Sequence, residues 1–216
     1  MQRRKFLAAS SAATLLPAGL AWAENLPIPP GNALGFKILC NGNAVGEHHL
    51  VFTQTGDELR VDINIAMQGR LYLVPFSYQL TASEHYNKGV FESLDSHTNQ
   101  NGKELEAHAQ RTANGYLISG TNMPPYTGPA NTLPLTYWNK AMLNAVILNI
   151  QTAHSYPATV TSPGWNRLPT ANGGSIAAQR YDLSGKITLS VWYDQHKVWS
   201  GLAFHYYGDF TYQRMM

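Results

Sequence analysis

Apolar residues recur at every second position over long stretches of this 216-residue chain. Leu59, Val61, Ile63, Ile65 and Met67 alternate with Glu58, Arg60, Asp62, Asn64 and Ala66. Successive strand side chains point to opposite faces, so this run predicts a strand with one buried face. Tyr72, Val74, Phe76, Tyr78 and Leu80 repeat the pattern, with Pro75 on the other parity, which predicts an edge or a bulge there. Further on, Ile187, Leu189, Val191 and Tyr193 alternate with Thr188, Ser190, Trp192 and Asp194, and Leu202, Phe204 and Tyr206 continue after a turn.

Hairpin chemistry separates these runs. Asn41-Gly42, Thr55-Gly56-Asp57, Asn87-Lys88-Gly89, Asn101-Gly102 and Asn114-Gly115 fall between apolar alternations, where residues tolerant of positive φ close tight antiparallel turns. Only one segment reads as helix, from Lys140 to about Ala145, with Asn139 as its N-cap. Residues 120–134, with four prolines, and residues 163–175, with Gly173-Gly174, read as long loops. The pattern predicts an all-β chain with a single antiparallel sheet of about nine to eleven strands. A flat sheet that wide exposes two edges and one apolar face. It should therefore curl into a barrel or half-barrel, with the one short helix covering or plugging the opening.

Composition changes the picture at the N-terminus. Residues 1–23 hold Arg3, Arg4, Lys5, Phe6 and Leu7, then an Ala-rich apolar run, then Ala21-Trp22-Ala23. That is the layout of a secretory signal peptide, and Arg3-Arg4-x-Phe6-Leu7 suits twin-arginine export over general secretion. The apolar run is too short and too interrupted for a transmembrane anchor. The expected division is a signal over 1–23, an extended proline-containing leader over 24–33 and the β-barrel or half-barrel over 34–216, in a periplasmic or secreted protein. The signal holds three of the 15 Lys and Arg residues and none of the 13 Asp and Glu residues, leaving 12 bases against 13 acids. A net charge near −1 carries no nucleic-acid footprint. Cys40 is the one cysteine and lies in a strand-like run, which predicts a buried thiol.

One candidate site follows from register. If Asn101 and Gly102 are the turn residues, Gln100 pairs with Lys103, His97 with Glu106 and Asp95 with His108. Asp95, His97, Glu106 and His108 then share one face, opposite Leu94, Leu105, Ala107 and Ala109. Such a block has ligand types for a divalent metal or for acid–base work. The plainer reading is a solvated outer face with cross-strand charge pairs, because the opposite face is apolar. His48 and His49 are adjacent, so on a strand they point to opposite sides and cannot chelate one ion together. A second candidate is aromatic. Trp138, Trp192, Tyr193, Trp199, Phe204 and Tyr206, with Trp165 and Tyr207 nearby, either line a cavity for an apolar ligand or pack a core. The chain lacks a Gly-x-Ser-x-Gly elbow, a His-Glu-x-x-His pair, a phosphate loop, a dinucleotide fingerprint and a Cys-x-x-Cys pair.

Several segments taken together carry a resemblance. They are Ser93-Leu94-Asp95-Ser96-His97-Thr98 with Asn101-Gly102, Trp138-Asn139, Leu148-Asn149-Ile150-Gln151-Thr152, Arg180-Tyr181-Asp182-Leu183-Ser184-Gly185 and Trp192-Tyr193-Asp194. In that order, over residues 34 to about 212, the chain resembles an uncharacterised family of secreted bacterial proteins, a domain of unknown function. In architecture it is more distantly similar to lipoprotein-localisation-factor-like half-barrels, which cradle acyl chains. The resemblance implies location and fold and no catalytic residues. In its pattern Arg often stands where this chain has His97, which speaks against a fixed metal role for the block.

The sequence thus favours an exported cell-envelope protein that binds an apolar or amphipathic ligand, a lipid-like small molecule, without catalysis. It is expected to need no cofactor, no nucleic acid and no transmembrane segment. Two alternatives stand beside it. One is a metal-dependent or acid/base hydrolase built on Asp95, His97, Glu106 and His108. The other is an interaction module that pairs a sheet edge with an envelope partner.

Overall fold

A computed structural model describes residues 26–71, the last by its backbone alone, and 74–216. The proposed signal peptide, residues 1–23, lies outside the described residues, as do Tyr72 and Leu73. After an extended start and one 3-10 turn (Pro30–Asn32), eight strands follow in meander: β1 (Ala33–Cys40), β2 (Asn43–Thr55), β3 (Glu58–Leu71), β4 (Val74–Asn87), β5 (Val90–Gln100), β6 (Lys103–Thr112), β7 (Gly115–Gly120) and β8 (Met123–Gly128). An insert then carries β9 (Thr132–Pro134), a 3-10 turn (Lys140–Asn144), β10 (Val146–Leu148) and β11 (Ser155–Tyr156). Five more strands complete the chain: β12 (Ala158–Pro169), β13 (Ser175–Gly185), β14 (Leu189–Tyr193), β15 (Trp199–His205) and β16 (Asp209–Arg214).

Two meanders join into one sheet because β16 pairs antiparallel with β1, Ile38 opposite Tyr212. The order is β12-β13-β14-β15-β16-β1-β2-β3-β4-β5-β6-β7-β8, thirteen strands with β8 and β12 as open edges. The sheet is barrel-like and not closed. Its concave face holds one hydrophobic cluster running from Leu34 to Tyr212. Parity built that face: Leu59, Val61, Ile63 and Ile65 of β3 are buried, and so are Leu94, Leu105, Ala107 and Ala109 on β5 and β6. Burying each large apolar side chain contributes roughly 1.5–3 kcal/mol.

The hairpin chemistry places the turns. Asn41 and Gly42 have φ of 49° and 81°, and Asn101 and Gly102 have 54° and 83°, both residues positive as a two-residue hairpin turn requires. At Asn114-Gly115 the turn sits one residue earlier, and Gly115 opens β7.

Four expectations need correction. The main sheet has thirteen strands, not nine to eleven. Residues 120–134 and 163–175, read as loops, contain β8 and β9 and the second half of β12. Their prolines misled the reading because β8 and β12 are the sheet's edges, where a missing N–H breaks no ladder; Pro163 sits in the bulge of β12 between Thr161 and Gly164. Pro75 does the same on a smaller scale. It pairs with Arg70 of β3, but the pairing of β4 with β5 ends at Tyr78 opposite Gln100, so β4 has one neighbour there. The predicted helix is only the 3-10 turn Lys140–Asn144, with Asn139 capping it by accepting a hydrogen bond from the Ala141 amide. Finally, a second small sheet, β11-β10-β9, contains a parallel pair, β10 with β9.

The insert is the plug. Leu135, Trp138, Met142, Ile147, Leu148, Ile150 and Ala153 all enter the main cluster. Gly120 makes room for it: a Cβ there would lie 2.7 Å from the Ala153 side chain and 2.6 Å from the Glu106 carbonyl. No helix among the described residues is long and apolar enough to cross a membrane.

Candidate functional site

The four-residue block forms with the expected register: Asp95 faces His108 and His97 faces Glu106 across β5 and β6. All four side chains are on the solvated face. His108 Nδ1 lies 2.8 Å from Asp95 and its Nε2 3.8 Å from Glu106, while His97 turns diagonally to Glu104 at 2.9 Å. The imidazoles therefore pair sideways along the surface and do not converge on a point. Among the described residues no three His, Cys, Asp or Glu side chains are grouped to hold a metal ion. His49 behaves alike, pairing with Glu47 at 2.8 Å. Its neighbour His48 points inward and is fully buried, with neither ring nitrogen hydrogen-bonded to a described residue. It packs edge-on against Trp199 at 5.1 Å and Tyr212 at 5.9 Å. Burial holds its pKa down to about 3, so the ring is neutral. Cys40 is a buried free thiol.

The aromatic set divides. Trp138, Tyr193 and Trp199 are wholly buried packing residues. Trp138 sits edge-on to Phe52 and Tyr86 and donates its Nε1–H to Glu84 at 2.9 Å. Glu84 also accepts the Tyr86 hydroxyl at 2.8 Å. Its other oxygen has no hydrogen-bond partner among the described residues, although the nearby Thr136 hydroxyl favours its ionised form. Burial outweighs these hydrogen bonds and raises the carboxyl to about 7. Tyr193 donates its hydroxyl to the Tyr137 carbonyl, fixing the insert to β14. Trp192 is also buried, with Asn166 accepting from its Nε1 and Arg180 over its ring.

Phe204 and Tyr206 alone of the six line a cavity. It has a volume of about 610 Å³ and lies inside the sheet at the end where the β3–β4, β5–β6 and β15–β16 connections meet. Its wall is built by strand parity. Ile65 and Met67 of β3 and Phe76 and Tyr78 of β4 point inward on adjacent strands, and β15 and β16 add Phe204, Phe210 and Tyr212. Phe204 stacks on Phe210 at 5.0 Å with the rings nearly parallel. The insert adds Tyr137 and Ile150. Sequence reading missed most of this wall, though the inward alternation of Ile65, Met67, Phe76 and Tyr78 was its visible signal.

The rim is part apolar and part amide. Val74, Tyr206 and Tyr207 are well exposed for residues of their kind, and the two tyrosine rings meet edge-on at 4.8 Å. Asn101 is held at the mouth by two bonds to Ser77, one through its backbone amide and one through its side-chain oxygen, which accepts at 2.7 Å. Asn149 Oδ1 accepts from the Gln151 and Thr152 amides, shaping the loop that carries Gln151. Gln151 then donates to Gln100 at 2.8 Å, tying the insert to the β5–β6 turn. Burial pushes the Tyr78 phenol up to about 12 and raises Tyr137 and Tyr212, and the Tyr78 phenol further disfavours ionisation of both. All three stay neutral at any ordinary pH.

No curated protein matches the sequence. Among solved structures, the crystal structure of a β-barrel-like protein of the domain of unknown function DUF1849 from Brucella abortus is similar in fold. The TM-score is 0.58 over 85% of this chain and 94% of that one, at 6% identity, a likeness of fold alone. The sequence pattern of a domain of unknown function, DUF6134, matches residues 36–215, spanning β1 to β16 and with them the wall, the plug and the rim of the cavity, and the chain belongs to that family.

Proposed function

We propose that this protein is a non-enzymatic binder of an apolar or amphipathic small molecule, held in the cavity at the β3–β4 end of the sheet. One observation carries the reading: an aromatic-lined space of about 610 Å³ remains inside an otherwise packed sheet. Protein interiors fill to near crystal density, and cavities of this size and lining are those that take small ligands. The exposed Val74, Tyr206 and Tyr207 at its rim extend the apolar surface outward, as an entry path needs. The Arg3-Arg4 leader supports work in the periplasm or outside the cell, where lipid-like molecules need carriers.

The test is direct. The purified chain should enhance the fluorescence of N-phenyl-1-naphthylamine saturably. Native mass spectrometry of protein taken straight from cells should show a bound small molecule of constant mass. A chain that leaves the dye dark and carries no added mass would sink the proposal. Export is tested separately by cell fractionation and by cleavage after Ala23, both of which should be lost when Arg3 and Arg4 become Lys.

A further inference from the structure

The chemistry of the cavity narrows its ligand. Among the described residues that line it, none is Asp, Glu, Lys, Arg or His. The polar side chains at the wall are amides and phenols, with Ser77 beside them. Gln100, Asn101, Asn149 and Gln151 stand on one side, and Tyr78, Tyr137 and Tyr212 carry hydroxyls that do not ionise. The bond from Gln151 to Gln100 uses one donor and one acceptor. The remaining N–H groups of the pair and the Gln151 carbonyl match a hydroxyl, ester or ketone, which needs only one or two neutral hydrogen bonds. An ionised head would leave water and meet no opposite charge, the costliest form of polar burial.

We propose that the site selects an uncharged amphiphile, whose polar group is a hydroxyl or carbonyl function received among these amides and phenols, over one with an ionised head. This rests on the reading of the cavity as a ligand site and specifies the class of ligand. The rival arrangement has the chain buried and the head left in solvent beyond the rim. It would show no preference, because the head would then never leave water.

The experiment uses the full chain at pH 8 with N-phenyl-1-naphthylamine bound. Competitors share one chain length: 1-dodecanol, dodecanoate and dodecyltrimethylammonium. Dodecanol should displace the dye at a concentration at least tenfold below either charged analogue. Gln151→Arg, which places a cation at the mouth, should shift the ratio of dodecanoate to dodecanol affinity at least tenfold toward dodecanoate. Equal displacement by all three compounds, or an unchanged ratio in the variant, overturns the selectivity while leaving a ligand cavity in place. Failure of the dye to bind at all overturns the cavity reading, and the selectivity falls with it.

Discussion

The two ends of the barrel-like sheet are walled by the same kinds of residue, yet one is filled and the other hollow. At the end near the β4–β5 turn, Phe52 and Tyr86 pack edge-on to Trp138 and Phe91 packs on Tyr86, with Met142 in the same core, all fully or nearly fully buried. At the opposite end Phe76, Tyr78, Phe204, Phe210 and Tyr212 surround open space. The difference lies in what the insert delivers. To one end it sends an indole anchored by a hydrogen bond to Glu84. To the other it sends Tyr137, Ile150 and two amide side chains, which stay at the wall and the rim. An aromatic wall is therefore not in itself a binding site. It encloses a cavity only where the plugging segment brings no side chain that fills the space.

The largest effect should come from emptying the filled end. Trp138→Ala should lower the unfolding free energy by about 3–5 kcal/mol, measured by urea denaturation, because it opens a void and removes a donor from the buried Glu84. A loss below about 1 kcal/mol would erase the contrast between the ends.

Next in size is the Glu84 carboxyl itself, whose folded pKa is about 7, above the ordinary 4.5. Ionising it costs stability in full above pH 7, and the cost is relieved as pH falls from 7 to 4.5. Each pKa unit is about 1.4 kcal/mol. Glu84→Gln, which keeps an acceptor for Trp138 and Tyr86, should stabilise the protein by up to about 3 kcal/mol at pH 8.5. The advantage should vanish toward pH 4.5; an advantage equal at both pH values would show that Glu84 is not held neutral by burial. His48 acts with the opposite sign: its folded pKa is about 3 against the ordinary 6.5, so the stability it contributes is complete above pH 6.5 and is lost as pH falls toward 3. The Glu84→Gln variant should therefore retain only this acid-side decline.

Filling the hollow end should do the reverse of emptying the filled one. Met67→Trp places an indole among the cavity walls. It should weaken N-phenyl-1-naphthylamine binding at least tenfold, about 1.4 kcal/mol, while moving the denaturation midpoint little. Unchanged dye affinity would place the dye elsewhere.

The smallest effect is expected on the outer face. Exposed ion pairs are worth about 0–1 kcal/mol each, so His97→Ala with His108→Ala should change stability by less than about 1 kcal/mol. Added Zn²⁺ should leave the melting temperature unmoved; a rise of several degrees that both substitutions abolish would assign a metal role to the block.

Much of the molecule was legible in advance where the signal was local. Asn101-Gly102 set the β5–β6 register, including Asp95 opposite His108, because a two-residue turn leaves only one pairing. The adjacent His48 and His49 separated inward and outward because strand parity allows nothing else. Where an element's meaning depended on its neighbours, local reading failed. The prolines of β8 and β12 looked like loop residues until the sheet order put them at its edges. The aromatic set was chosen by density in the sequence, and so it mixed core residues such as Trp199 with cavity residues such as Phe204. It passed over Phe76 and Tyr78, whose partners across the cavity are more than a hundred residues away.

What the sequence by itself determined is the all-β plan, the hairpin turns and the face on which each strand residue lies, since these follow from backbone sterics and a two-residue period. Only the tertiary structure decided that β16 would join β1, which strands would be edges, and how deeply the insert would enter. Those outcomes set which aromatic residues touch one another and which face empty space. They depend on contacts between distant segments, which no local pattern encodes.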